Sequence, residues 1–498
     1  MPKVKGGLEL PLKVRGEGQP LTDWLYLELR SAILEGRLPP SSRLPSTRDF
    51  AAQYGVSRGT IVQVFERLQS EGYLCSRVGA GTVISGHVMP RPPSGPDAGA
   101  LPAYVRSIRA NYQRPKAFVG LEPPPCLRPF RMGDVDLHEF PSKLWARLAS
   151  RRARSPGSWA LTDDYRGYQP LRQAIAQYLG SARGIACAAD QITIVSGVQQ
   201  ALDLLARLLL SARDKVWLED PGYFGARIAF ENAGAQSVPV PVDAEGIVVA
   251  RGIKAGAAAG AYVTPAHQFP LGPAMSLGRR MELLKWAASA GAFIIEDDYD
   301  SEYRFEGRPI PALMSLDRGS NVIMIGSFSK LLCPALRIGY IVAPPALADF
   351  VAAFRFQTDF HAVHLEQAVL TDFIDGGHLS RHVRRMREIY ASRHAALIEA
   401  SRRYLAGVLD VQNVHCGLYT AAYLKNNMSS REAENAALKA GVDTLSLDRF
   451  TLSVPDPQGL LLGFASFNGS AIRESARRLA PALRSVELKL RSTRGSSH

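Results

Sequence analysis

The chain has 498 residues, 46% hydrophobic and 21% charged, which is too long for one ordinary core and apolar enough to fold, so two or three globular units are expected. Its formal charge of +13 favours a polyanionic partner, although charge alone speaks only for non-specific attraction. Apolar runs such as Phe293 to Ile295 and Val322 to Ile325 are far too short to span a bilayer and no secretory leader follows Lys3 and Lys5, so a cytoplasmic location without a membrane partner is expected.

Five cysteines, Cys75, Cys126, Cys187, Cys333 and Cys416, form neither a CxxC nor a Cys/His pair. They read as mostly buried thiols, with no disulfide framework and no metal site.

Residues 1–20 are rich in Gly, Lys and Pro without a period and read as a flexible arm. Periodicity begins near Leu21, and the first folded unit is placed at residues 21–85. Within it, Ser46 and Asp49 have capping-box spacing, Phe50 and Ala51 open an apolar face, and Gly55 stands where a left-handed C-cap belongs. Ser57 opens a second helix with Ile61, Val64, Phe65 and Leu68 on one face. Two helices joined by a glycine turn make a helix-turn-helix. The second helix presents Arg58, Gly59 and Thr60 in its first turn and Gln63 one turn later, slim and polar enough for a major groove in which Arg reads guanine and Gln reads adenine. Tyr73 to Ile84, with Gly79 and Gly81 between two strand-like pieces, reads as a hairpin wing.

Taken singly, Arg48 or Arg58 is better explained as a solvated helix charge. The ordered set of cap, glycine turn, Ser-Arg-Gly-Thr start and glycine hairpin favours a DNA reader. Leu21 to Ile84 resembles the winged helix-turn-helix of GntR-type regulators, with their L-P-S-x-R, G-V-S-R-x-T, E-G-Y and G-x-G-T pieces. The resemblance implies that Arg43, Arg48, Arg58, Thr60 and Gly79 lie at double-stranded promoter DNA, with Ser57 and Gln63 beside them.

Residues 86–118 begin Pro/Gly-rich and read as an exposed linker. From about 119 to 490 amphipathic helical stretches alternate with short β-branched runs, the mark of an α/β domain with a mainly parallel sheet, and 491–498 read as a tail. Four strand-and-turn segments carry chemistry. Ile192 to Val195 leads into Ser196-Gly197-Val198 at a helix start, where free N–H groups and the helix dipole suit a phosphate. Phe293 to Ile295 runs into Glu296, Asp297, Asp298 and Tyr299, and a carboxylate at a strand end can keep a pyridinium nitrogen protonated, though metal binding or helix capping would explain such acids equally well. Val322 to Gly326 leads to Ser327, Ser329 and Lys330, an amine able to form an imine with an aldehyde once deprotonated. Arg337 follows seven residues later and can reach the same phosphate in a bidentate way.

Together these segments resemble a fold-type I aminotransferase over most of residues 120–490. The resemblance implies pyridoxal 5′-phosphate (PLP) as cofactor, with Lys330 as its Schiff-base lysine, Asp297 on the pyridine nitrogen and Tyr299 on the ring hydroxyl. It implies Ser196, Gly197, Val198, Ser327, Ser329 and Arg337 around the phosphate, Tyr223 stacked on the ring, and His267 or Gln268 beside the ring oxygen. The whole chain resembles MocR/GabR-type regulators, which implies a homodimer that senses PLP itself or an amine or amino-acid effector. A working aminotransferase and a body that only dimerises are the competing readings. The aminotransferase pattern R-L-x-F is represented by Leu460 to Phe464, with Leu461 in place of the Arg that orients a substrate carboxylate, so turnover of common α-amino acids is expected to be negligible. Arg227, four residues after Tyr223, is the one substitute cation considered, although a plain surface arginine also explains it.

Overall fold

The apolar residues that recur at helical spacing from Leu25 to Leu68 bury one another in the N-terminal unit. The protein is described by a computed structural model over residues 15–16, 18–77, 81–86, 128–155, 157–160, 164–307, 310–360, 362–425, 428–453 and 458–495. It divides into two units at residues 113 and 114, inside the expected linker. Residues 87–118 of that linker, most of the arm, Gly79 and Cys126 lie outside the described residues.

In the N-terminal unit α1 (Leu21–Leu34), α2 (Thr47–Tyr54) and α3 (Arg58–Ser70) are followed by an antiparallel pair, β1 (Leu74–Arg77) and β2 (Gly81–Ile84), with Cys75 opposite Val83. The Ser46 hydroxyl accepts the Asp49 N–H, Gly55 takes φ 65° at the end of α2, and the Ser57 hydroxyl accepts the Thr60 N–H. Leu25, Leu29, Ile33, Phe50, Ile61, Val64 and Leu68 are buried in one core. Each such side chain contributes about 1.5–3 kcal/mol on burial, which holds helices too short to persist alone.

The C-terminal unit is built on an eight-stranded sheet in the order β3-β10-β9-β8-β7-β4-β5-β6. Its strands are β3 (Ile192–Val195), β4 (Lys215–Asp220), β5 (Gln236–Asp243), β6 (Gly246–Ile247), β7 (Gly260–Val263), β8 (Phe293–Asp298), β9 (Val322–Ser327) and β10 (Gly339–Val342). The five from β9 to β5 are parallel, whereas β10 runs antiparallel to β3 and β9, and β6 antiparallel to β5. The mainly parallel α/β fold read from the sequence is present. Side chains alternate across it: Ile295, Ile323 and Ile325 pack with Ala201, Leu205 and Val351 of helices Val198–Leu209 and Pro345–Asp359, while Ile294 and Val322 pack with Leu283 and Ala287 of helix Leu277–Ala290.

A second sheet, ordered β11-β12-β14-β13, comprises β11 (Leu409–Val411), β12 (Tyr419–Leu424), β13 (Leu445–Ser446) and β14 (Gly459–Gly463). The last helix runs from Gly469 to Gly495, so residues 491–495 continue it and the tail boundary drawn at 491 is corrected. The thiols also differ from expectation: of the four described cysteines only Cys416 is buried, and Cys75, Cys187 and Cys333 are half-buried.

One close approach sets the edge of the cleft described below. A Cβ on Gly339 would lie 2.8 Å from the Gly197 Cα and 3.0 Å from the Gly326 carbonyl, so glycine lets the turn after β3 rest on β10. Gly339→Ala should therefore cost about 1–3 kcal/mol, the ordinary range for overpacking, read as a lower urea midpoint. An unchanged midpoint would show that this contact yields freely.

Candidate functional site

Three consecutive acids end β8, and each is held differently. The Glu296 carboxylate accepts the N–H groups of Leu313 (2.8 Å) and Met314 (2.9 Å). Asp298 pairs with Arg183 at 2.8 Å, both almost fully buried. Asp297 accepts the Tyr262 hydroxyl on Oδ2 at 2.7 Å, while its Oδ1 is buried without a partner. Of the three, only Asp297 lines a cavity of about 860 Å³. Burial, opposed by the Tyr262 hydrogen bond and reinforced by nearby acids, pushes its carboxyl up to about 7.

From the end of β9, Ser327, Ser329 and Lys330 reach the same cavity. Burial pushes the Lys330 amine below its ordinary range, against the opposing charges of Asp134 and Asp300. Lys330 Nζ donates to the Gly133 carbonyl. Arg337, held at φ 49° after a short 3-10 turn, also lines the cavity, and a Cβ on Gly197 would lie 3.3 Å from its guanidinium. Val198 contributes from the start of its helix, but Ser196 and Gly197 are not on the wall, and the Ser196 N–H is taken by the Gln200 side chain at 2.6 Å.

Tyr223 stands just before helix Phe224–Asn232, its hydroxyl 3.3 Å from Gln199 Oε1. A Cβ on Gly225 would come within 2.5 Å of the Tyr223 ring, so the ring's position depends on that glycine. Burial, together with the negative charge of Asp297, pushes the Tyr223 phenol up to about 12.

His267 and Gln268 stand behind the cavity wall. Both are fully buried and neither lines the cavity. Gln268 donates to the carbonyls of Pro221 (2.9 Å) and Phe269 and accepts the Leu271 N–H (3.0 Å), bracing a loop. His267 lies behind Tyr299, with Nδ1 3.0 Å from Asp300 and 3.1 Å from the Tyr299 hydroxyl. That hydroxyl also meets Tyr419 at 2.9 Å, and Tyr299 and Tyr419 both line the cavity. Tyr419, Asp300 and the Arg131 to Asp134 segment carry no signal of their own in the sequence. Tyr419 sits in an ordinary strand pattern, and residues 128–134 follow the linker without a period.

Leu461 lies in β14 opposite Ala421 and Leu445, fully buried. Arg227 is half-exposed, is paired with Glu231 at 2.8 Å along its own helix and does not line the cavity, so the substitute-cation reading is set aside for the surface one.

In the N-terminal unit, Ser57 and Thr60 cap α3, with their hydroxyls 2.8 Å apart. Arg43, Arg48, Arg58 and Gln63 are exposed. Arg58 opens α3 in a first turn without an acid, where a cation opposes the helix dipole. Arg67, by contrast, is a structural residue, paired with Asp23 at 3.2 Å and lying 3.8 Å from the centre of the Tyr26 ring.

Two families match the chain: bacterial regulatory proteins of the gntR family over residues 21–84, and aminotransferase class I and II over residues 133–432. A probable rhizopine catabolism regulatory protein MocR of Rhizobium meliloti is 38% identical over 477 residues, covering 94% of each chain. The HTH-type pyridoxine biosynthesis transcriptional regulator PdxR of Corynebacterium glutamicum is 28% identical over 90% of this chain and 92% of its own. Among solved structures, the α-aminoadipate aminotransferase LysN of Thermus thermophilus, complexed with N-(5′-phosphopyridoxyl)-L-leucine, superposes with a TM-score of 0.68 at 28% identity, over 73% of this chain and 93% of that one. The chain belongs to the MocR/GabR-type transcriptional regulators, in which a GntR-family winged helix-turn-helix is fused to a fold-type I aminotransferase-like domain.

Proposed function

We propose that this regulator binds promoter DNA through residues 21–84, holds PLP on Lys330, and responds to PLP itself or to an amine or amino acid that displaces Lys330. The observation that carries the reading is a buried carboxylate oxygen, Asp297 Oδ1, left without a partner in the cavity that also holds the Lys330 amine and the Arg337 guanidinium. A buried polar atom without a partner is costly, and a pyridinium N–H would satisfy it. The donor set therefore fits the cofactor.

When bound, PLP supplies an aldehyde that condenses with amines and a ring that withdraws electrons while its nitrogen stays protonated. Lys330 is the attachment point, its amine brought toward the neutral, nucleophilic form by burial. Asp297 would hold the proton on the ring nitrogen. Tyr299, whose hydroxyl donates to the His267 carbonyl and meets that of Tyr419, would turn its proton to the ring oxygen, and Tyr223 would cover the ring. Arg337, Ser327, Ser329 and the Val198 helix start would take the phosphate, with Ser196 and Gly197 shaping the turn behind it. A homodimeric, cytoplasmic regulator is the assembly this reading adopts from the family.

Lys330→Ala should abolish the visible absorbance band formed on adding PLP and the adduct that borohydride traps. A trapped adduct on another residue would overturn the assignment.

Asp297 gives a pH test on the cofactor-free chain. Its carboxyl is raised from 3.8 to about 7, so the native state holds the proton more tightly than the unfolded chain does. Its stabilising contribution is full below about pH 4 and is lost as pH rises through about 7. Glu219 and Glu302, also raised to about 7 by burial, act in the same direction. Asp297→Asn should make the urea midpoint fall less between about pH 4 and 7 than in the wild type. An equally steep fall would place the titration elsewhere.

On DNA, Arg58→Ala should cost about 1–3 kcal/mol and relax preference at one base pair, whereas loss of a phosphate-contacting Arg48 should weaken all sequences alike and reduce the salt slope by about one. Full-length variants titrated with promoter fragments at several salt concentrations separate these outcomes. Unaltered affinity in both would remove α2 and α3 from the interface.

A further inference from the structure

The walls around the Lys330 amine offer acceptors and negative charge. Nζ donates to the Gly133 carbonyl, and a Cβ on Gly133 would lie 3.0 Å from Nζ, so this backbone stands directly over the amine. Asp134 and Asp300 are the charges that act on it.

Two nearby cations are already paired with carboxylates. Arg131 lies 3.1 Å from Asp134 and 3.6 Å from Asp443, and Arg449 grips Glu434 through two nitrogens at 2.7 and 3.0 Å. Arg128 reaches the Leu438 carbonyl at 3.5 Å, and Arg337, which has no ion-pair partner among the described residues, is the cation that the cofactor reading commits to the phosphate. The second sheet turns a neutral face inward. Tyr419 and Leu445 line the cavity, and their partners across the sheet are Gly463 and Leu461, with Ala421 on the same face by the two-residue period.

Resting on the reading that Lys330 carries PLP, we propose that this cleft selects primary amines bearing no carboxylate on the carbon attached to the nitrogen. In the exchange the incoming nitrogen takes over the C=N bond to the cofactor's aldehyde carbon. Of the three protons on the incoming ammonium, two pass to Lys330 Nζ, which leaves as the free amine, and one stays on the new C=N nitrogen. A carboxylate on the adjacent carbon would stand roughly 2.5 Å from that nitrogen, a reach fixed by bond lengths. It would stand beside the Gly133 carbonyl and near the Asp134 charge, with Arg131 already paired to Asp134 and Asp443 and Arg337 reserved for the phosphate. An amine without that group brings only positive charge to a wall of acceptors.

The test uses full-length protein loaded with PLP and pairs of amines with their carboxylated counterparts: cadaverine and lysine, agmatine and arginine, tyramine and tyrosine, β-alanine and aspartate. The readout is the concentration that half-shifts the visible band, which requires no turnover. Amines should act at concentrations lower by on the order of tenfold, the ratio that corresponds to about 1.4 kcal/mol. Asp134→Asn, which removes a charge and releases Arg131 Nε, should bring the ratio toward one. Equal or stronger responses to the α-amino acids, no response to any amine, or an unchanged ratio in Asp134→Asn would each overturn the ligand class while leaving the cofactor reading intact. Failure of PLP to give any visible band would instead bring down the cofactor reading, and this selectivity with it.

Discussion

The cleft depends on the cost of ending a buried strand in three acids. Desolvation penalises every ionised carboxylate at the end of β8, and the fold answers differently at each. Glu296 is absorbed by two backbone N–H groups, and Asp298, whose Oδ1 also lacks a hydrogen bond, is charge-paired with Arg183. Asp297 receives one hydrogen bond from Tyr262 and keeps its other oxygen bare. What sets Asp297 apart from Asp298 is that it lines the cavity, where a ligand can supply the missing donor.

The surrounding parts follow from serving that oxygen. Parallel strands β8 and β9 end side by side, bringing Asp297 and the Ser327 to Lys330 turn to one edge of the sheet. Because β10 runs antiparallel to β9, its start at Gly339 lies opposite Ser327, and Arg337 enters the same edge from just before it. Gly225 and Gly339 mark places where ring or backbone comes closer than a Cβ allows. Strand ends and close approaches therefore converge on one pocket from segments far apart in the chain.

What is legible in the sequence is what is decided locally. Ser46, Gly55 and Ser57 announce α2 and α3 because a cap is made within three or four residues, and the structure has these caps. Strands β3, β8 and β9 announce themselves through short β-branched runs. Pocket membership is decided at long range. His267 and Gln268 suit the ring oxygen by residue type and by their loop, yet other partners claim them. Gln268 finds the Pro221 carbonyl and Glu219 at the end of β4, and His267 finds Asp300 beyond β8. Tyr419 gives no signal because an inward tyrosine in a strand reads the same whether it meets core or cavity. The assignments of Lys330 and Asp297 rest on resemblance to a family, since spacing alone cannot show that two strand ends are neighbours.

A sensor asks less of such a site than an enzyme does. Turnover requires a substrate oriented well enough that misplacement does not cost about a hundredfold in rate, and a bidentate arginine is the usual device for a carboxylate. Signalling requires only that a ligand bind two arrangements of the protein with different affinity. A neutral Leu461 at the position of the expected arginine, with Arg131 and Arg449 already committed to carboxylates, removes the orienting device while leaving Lys330, Asp297 and Tyr299 in the cavity. On the proposed reading, that combination would keep attachment and exchange at Lys330, the steps that change what occupies the cleft, and would lose the step that consumes the occupant. A ligand that is not consumed keeps its concentration readable, which is the condition under which binding can report on supply.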